Sequence, residues 1–246
     1  MTNPTTNPDH YPPITTSPSP SPTPTPKNLA FILYPGFQSI DLFGPLDMLA
    51  LLANRTPLNL YLVSPGPSLA PVSTAHHVWA KVGSRFGTEV VPTHTLDDVA
   101  WGDIDMVLVP GGIGARDEES ADVGRVVEFV KGNEKEKKRW LLSVCTGSHL
   151  LAKAGVLDGR KATTNKRVFG WVKARHPSVH WIAKARWVAD GNIWTSSGIS
   201  AGIDLALAWI AHVWGEETAT LLADSSEYEW NRDPENDRFA ERWGAV

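Results

Sequence analysis

The chain has 246 residues and a mass of 26.9 kDa, enough for one substantial core of two or three layers and too little for several large domains. Apolar residues make up 42 % and charged residues 20 %, and 23 Lys and Arg against 27 Asp and Glu give a net charge of -4, no footprint for nucleic acid or an anionic membrane. The single cysteine excludes an intrachain disulfide and multi-cysteine metal centres and fits a reducing, cytoplasmic setting, and no apolar run of about 20 residues is present to span a bilayer.

Residues 1–27 are almost all Pro, Ser, Thr and Asn. They have little to bury and read as a disordered or polyproline-like arm, without the apolar run of a secretory signal. From 28 to 246 the chain reads as a single domain. NLAFILY at 28–34 is a strand, PGF a turn, and IDLFGPLDMLALLANR a helix with Leu42, Leu46, Met48, Leu49 and Leu52 on one buried side. Residues 58–64 form a second strand, and 91–97 an edge strand or small hairpin. Asp103–Pro110 is a strand that ends in a glycine pair. A helix is expected at 119–132, a strand at 140–144, and a helix at 146–155. Residues 167–175 form another helix. WIAKARWVAD alternates as a strand, GN turns it, and IWTSS is its partner. Residues 200–214 form a strong helix, with Ser200 as its cap and Asp204 favouring its dipole. The polar tail SSEYEWNRDPENDRF packs as short helix and coil. Apolar strands separated by helices predict an α/β fold with a parallel sheet covered on both faces. Such a sheet carries its functional loops at the carboxyl ends of its strands.

Three strand ends carry the chemistry. In LLSVCTGSHLLAKAG an apolar strand runs directly into a tight turn and a helix. Cys145 at that turn reads in two ways. It is a nucleophile whose thiol pKa the helix N-terminus lowers, or a buried small hydrophobe. The backbone N–H of Thr146 is the natural oxyanion donor for the first reading. In VPGG at 109–112, Gly112 offers a second N–H for the same developing charge, and Arg116 serves a substrate or the surface. Asp41 lies between Ile40 and Leu42. It is a helix cap, or a buried acid whose pKa desolvation raises so that it acts as acid and base. His77, beside His76, reaches the pocket from a loop or does not. No HExxH-like spacing appears, so no metal is expected.

The stretches FILYPGFQSIDLFGPLDML, DMVLVPGG, LLSVCTGSHLLAKAGVLDGRKATTN and WTSSGISAGIDLAL resemble the DJ-1/PfpI superfamily, and within it the isonitrile hydratase branch and amidase-like domains of some transcription regulators. The resemblance implies a flavodoxin-like three-layer sandwich with a mostly parallel central sheet. It implies Cys145 as elbow nucleophile, Asp41 as the acid above it, and Thr146 as the following threonine. It also implies a homodimer and no cofactor. One departure stands out. Many relatives read ATTH where this chain reads KATTN at 161–165, and Asn165 cannot serve as a general base. This counts against chemistry that needs a Cys–His pair and less against hydration of an isonitrile to an N-substituted formamide. Phe37, Ile113 and Phe169 are candidate walls for the small-molecule substrate, beside Arg116, Asn165 and His77. The alternatives are a glyoxalase, deglycase or small-amide hydrolase, a redox-sensing stress protein, and a structural or binding protein.

Overall fold

The computed structural model describes residues 25–132 and 139–245. In chain order the elements are β1 (Asn28–Ile32), α1 (Ser39–Ala53), β2 (Asn59–Ser64), β3 (Val72–Ser73), α2 (His77–Ala80), β4 (Glu89–Val90), β5 (His94–Thr95), β6 (Met106–Val109), α3 (Ala121–Lys131), β7 (Trp140–Ser143), α4 (Gly147–Lys153), β8 (Lys161–Ala162), α5 (Phe169–Arg175), β9 (His180–Trp181), β10 (Trp187–Asp190), β11 (Ile193–Ser196), α6 (Ala201–Trp214), α7 (Glu216–Ser225) and α8 (Phe239–Arg242). Seven strands form one sheet in the order β10-β11-β7-β6-β1-β2-β5. Every pairing in it is parallel except β10 with β11. Nearly every residue of β1, β6 and β7 is buried, which only a sheet covered on both faces permits.

The connections decide where a site forms. From β1 the chain crosses through α1 to β2, and from β6 through α3 to β7, in the opposite direction along the sheet. Right-handed crossovers then place α1 and α3 on opposite faces. Helices α6 and α7 pack with α1, and α4 with α3, completing an α/β three-layer flavodoxin-like sandwich. The winding reverses between β1 and β6, so their carboxyl ends part and leave a crevice. Among the described residues no helix is long and apolar enough to cross a membrane.

Several local expectations need correction. WIAKARWVAD is not one strand. Its first residues pair with β8 and its last four with β11. Between them the Ala185 carbonyl accepts from Lys166 Nζ at 2.7 Å, and the Arg186 N–H donates to the Pro234 carbonyl at 2.6 Å. Those tertiary bonds draw 182–186 out of the sheet. Ser200 occupies the cap position of α6 but makes no side-chain cap bond; its Oγ accepts from Arg186 Nη2 at 3.2 Å. Asp204 is buried beside Arg186, 2.7 Å from its Nη2, so it balances a side-chain cation rather than the helix dipole. Helix α7 is additional to the sequence expectation, and it buries Thr218, Ala219, Leu222 and Ala223. Of the expected N-terminal arm, residues 1–24 lie outside the described residues, and 25–27 form neither helix nor strand.

Candidate active site

The loops leaving β1, β6 and β7 meet above the crevice. Phe37 and Gly112 form a single antiparallel bridge. The Gln38 N–H donates to the Gly111 carbonyl at 2.8 Å, and the Gly114 N–H to that of Gly36 at 3.0 Å. Gly111 sits where the three loops converge. A Cβ there would lie 2.5 Å from the Thr146 nitrogen, 2.8 Å from Asp41 Oδ2 and 2.8 Å from Cys145 Cβ. Only the absence of a side chain at 111 lets the acid and the cysteine approach each other.

Cys145 has φ = 57°, a left-handed conformation uncommon outside glycine. Its N–H donates to the carbonyls of Ser196 and Ser197, at 3.2 and 3.1 Å. Its carbonyl accepts from Ser148 Oγ and Thr164 Oγ1, each at 3.0 Å. The residue is thus fixed from both sides, with its sulfur accepting from Asn165 Nδ2 at 3.1 Å. Burial, and then the charge of Asp41, push the Cys145 thiol up; the Thr146 N–H, Asn165 amide and Thr146 hydroxyl oppose this. The expected lowering is reversed. Helix α4 has only 7 residues, and a sulfur shut away from water loses more solvation than its donors return. Burial thus favours the thiol over the thiolate.

Asp41 begins the buried side of α1 and is wholly buried. Oδ2 accepts from the Gly111 N–H at 3.0 Å, whereas Oδ1 is buried without a hydrogen-bond partner. Burial pushes the carboxyl up to about 7, against the Gly111 N–H and the Cys145 side chain. Tyr34, absent from the sequence candidates, stands next to this pair. Its hydroxyl donates to the Pro110 carbonyl at 2.6 Å. Burial, followed by the charges of Asp41 and Cys145, holds it protonated. Its only signal in the sequence is a polar tip closing an apolar strand.

Thr146 and Gly112 are joined to each other. The Gly112 N–H donates to Thr146 Oγ1 at 3.0 Å, and that hydroxyl donates to the Gly112 carbonyl at 3.1 Å. The Gly112 amide is therefore engaged rather than free for a developing charge. The groups that favour the thiolate are the Thr146 N–H, the Asn165 amide and the Thr146 hydroxyl. Gly198 makes room for Asn165, since a Cβ there would lie 2.5 Å from its Nδ2. Gly198→Ala should therefore act like Asn165→Ala, with both slowing alkylation of Cys145 by iodoacetamide several-fold at fixed pH. Unchanged alkylation in Asn165→Ala would show that this amide does not support the thiolate.

The remaining candidates disperse. Phe37 is buried and contributes its backbone bridge, and Ile113 is half-buried before the turn at Gly114–Arg116. Arg116 is exposed, near enough to His149 to help lower its pKa. Phe169 does not wall the cysteine. It belongs to a small core with Ala240 and Ala245. His149 and His176, 27 positions apart in the chain, hydrogen-bond through Nδ1 and Nε2 at 2.8 Å. Burial, then the neighbouring ring and cations, lowers His149 to about 3, so the pair is neutral. His77 is 65 % exposed and lies 3.8 Å from Asp117. His76, His77 and Asp117 offer ligand atoms within 4.8 Å of one another. However, His76 Nδ1 accepts from the Val78 N–H at 3.3 Å, which places the neutral ring's proton on Nε2. That nitrogen faces Asp117 Oδ2 at 3.4 Å, as a proton opposite a carboxylate rather than a lone pair for a metal.

Residues 27–212 match the DJ-1/PfpI family. The chain is 35 % identical over 211 residues to the isonitrile hydratase of Pseudomonas putida, covering 81 % of this chain and 78 % of that one. It is 27 % identical over 206 residues to the HTH-type transcriptional regulator GbdR of Pseudomonas aeruginosa (strain UCBPP-PA14), covering 82 % of this chain and 51 % of the regulator. Among solved structures, a THiJ/PfpI family protein from Pseudomonas syringae aligns with a TM-score of 0.66 at 26 % identity, over 92 % of this chain and 84 % of that one. Sequence match, sheet order and the buried cysteine at the turn after β7 agree: the chain belongs to the DJ-1/PfpI family.

Proposed function

We propose that this protein hydrates an isonitrile to an N-substituted formamide, with Cys145 as nucleophile and Asp41 as proton carrier, without a cofactor. The observation that carries the reading is the pairing, across Gly111, of a buried thiol with a buried acid that titrates at about 7. The 35 % identity to an isonitrile hydratase supports it. No other base touches the sulfur among the described contacts, and Asn165 only donates to it. The reaction must then run on the one proton this pair exchanges.

The ionised Asp41 takes the thiol proton on its carboxylate. The thiolate attacks the electrophilic terminal carbon of R–N≡C, forming the S–C bond, and Asp41 returns the proton to that carbon. The product is a thioimidate, R–N=CH–S–Cys145. Asp41 next draws a proton from water as the oxygen bonds to the same carbon and passes that proton to the nitrogen, giving R–NH–CH(OH)–S–Cys145. The C–S bond then breaks as Asp41 takes the hydroxyl proton and delivers it to the sulfur, so Cys145 leaves as a thiol and R–NH–CHO is released. Covalent catalysis thus divides one difficult addition into two easier ones. The Thr146 N–H and Asn165 Nδ2 hold the sulfur's negative charge at the start and at the end of the cycle. A homodimer belongs to the same proposal, and Ile40 and Phe43, exposed on α1, are apolar side chains for a second subunit to cover.

Mixing purified protein with simple alkyl isonitriles and following the formamide proton by NMR tests the reading. Formamide should accumulate over many turnovers. Its absence with several isonitriles, from folded and reduced protein, would move the assignment to dicarbonyl chemistry or to redox sensing through Cys145. The pH dependence is fixed in sign. The doubly protonated pair has no base, so kcat/KM should rise with pH through about 7 as Asp41 ionises. Stability should move the other way. The folded chain holds the Asp41 proton above the ordinary value of 3.8, so this contribution is complete below that value and is lost as pH rises through about 7. Urea titrations between pH 4 and 8, wild type beside Asp41→Asn, would read the difference.

A further inference from the structure

We infer that the C-terminal segment walls a substrate subsite reached from Cys145, and that this subsite takes an aromatic substituent bearing an anionic group. A cavity of about 280 Å³ opens beside Asn165. Asn165 is part of its lining and donates to Cys145 Sγ at 3.1 Å. Its flank is Arg167, Ile199 and Ser200, and its outer wall is Phe239 and Trp243. The substrate class rests on the isonitrile reading; the existence of the wall does not.

The wall is built in, not draped. Asp237 is fully buried 3.9 Å from Lys166 Nζ, and the same ammonium donates to Thr163 Oγ1 at 2.6 Å and to the Ala185 carbonyl at 2.7 Å. The Asp237 N–H donates to the Lys184 carbonyl at 3.2 Å, and its Oδ1 accepts from the Phe239 N–H at 2.9 Å. The residue that anchors the tail is thus held by the immediate neighbour of Asn165. Nucleophile, amide and tail form one connected unit. The family match ends at residue 212, so this wall lies beyond the part of the chain the match covers.

Its chemistry selects a ligand. Trp243, 51 % exposed, presents a ring, with Phe239 and Ile199 as further apolar surface. The Arg167 guanidinium lies over the Trp243 ring, 5.7 Å from its centroid, which places a cation against the aromatic side chain. A ring stacked on Trp243 with a carboxylate toward Arg167 satisfies both. The space suffices, since an apolar cavity of about 150 Å³ already holds benzene.

The test has a kinetic and a binding arm. Wild type, Trp243→Ala, Trp243→Phe and Arg167→Gln are assayed with 4-isocyanobenzoate and a small alkyl isonitrile. 4-Formamidobenzoate, the corresponding product, is titrated into each by calorimetry. We expect the kcat/KM preference for the benzoate over the alkyl compound to fall about tenfold in Arg167→Gln and Trp243→Ala. Trp243→Phe should restore most of it, and the affinity for 4-formamidobenzoate should follow the same order. Binding that follows this order without turnover of any isonitrile would leave the subsite standing and remove the reaction. Turnover with the same preference and the same product affinity in all four proteins would overturn the subsite and leave the reaction. Failure of wild type to bind 4-formamidobenzoate would overturn the subsite as well.

Discussion

Cys145→Ala is expected to remove formamide formation altogether, and Asp41→Asn to lower kcat by about 100- to 10,000-fold, the usual worth of a positioned acid–base group. The two losses have different origins. Alanine leaves no atom to bond the isonitrile carbon. Asparagine keeps the shape of the aspartate and an oxygen to accept the Gly111 N–H, now made at 3.0 Å, but takes no proton. The thiol, raised by burial, would then remain protonated and unreactive. Near-UV circular dichroism should show both variants folded, because neither changes the backbone contacts joining the three loops. Turnover of Asp41→Asn within a few-fold of wild type would refute the proton-carrier role, even with Cys145 shown to be essential.

The largest stability effect should come from a residue far from the sulfur in sequence role. Asp204 is fully buried and accepts four contacts: Arg186 Nε at 2.8 Å and Nη2 at 2.7 Å, the Tyr228 hydroxyl at 3.0 Å and the Asn231 N–H at 3.0 Å. Asp204→Ala would strand the Arg186 guanidinium and the Tyr228 hydroxyl inside the protein. Removing one partner of a buried pair typically costs about 3–5 kcal/mol. The loss should appear as a lower urea midpoint. Replacing the pair together, Arg186→Met with Asp204→Leu, should recover much of it, because the cost of Asp204→Ala is mainly the unpaired charge left behind. A midpoint for Asp204→Ala equal to wild type would show that Arg186 reaches water without its partner.

Asp41, the glycine pair and Cys145 were legible because each follows an uninterrupted apolar strand. In a parallel sheet that position is where a chain turns above the carboxyl edge. The same local logic misjudged what lies across the molecule. It gave Cys145 the benefit of a helix N-terminus but could not weigh the burial that outweighs it. It gave the Gly112 N–H to a developing charge, since the Thr146 hydroxyl that takes it is 34 residues away. It read Asp204 as a helix-end acid, because its cation Arg186 arrives from another element. The bond between His149 and His176 is hidden from the sequence for the same reason, since they lie 27 positions apart. Alternation in WIAKARWVAD is a true strand signal at both ends. The break in its middle is imposed by Lys166 and Pro234, which no period in the sequence announces.

The left-handed turn at Cys145 has a consequence for how this chain can be improved. Holding a non-glycine residue there costs about 1–2 kcal/mol, and the cost recurs whatever small side chain replaces the thiol. Glycine alone escapes it. Selection on thermal resistance, blind to turnover, would therefore favour glycine at 145 and erase the nucleophile. Thermostable descendants of this protein must gain their resistance elsewhere, in surface helices or the outer strands, while position 145 is kept under an activity screen.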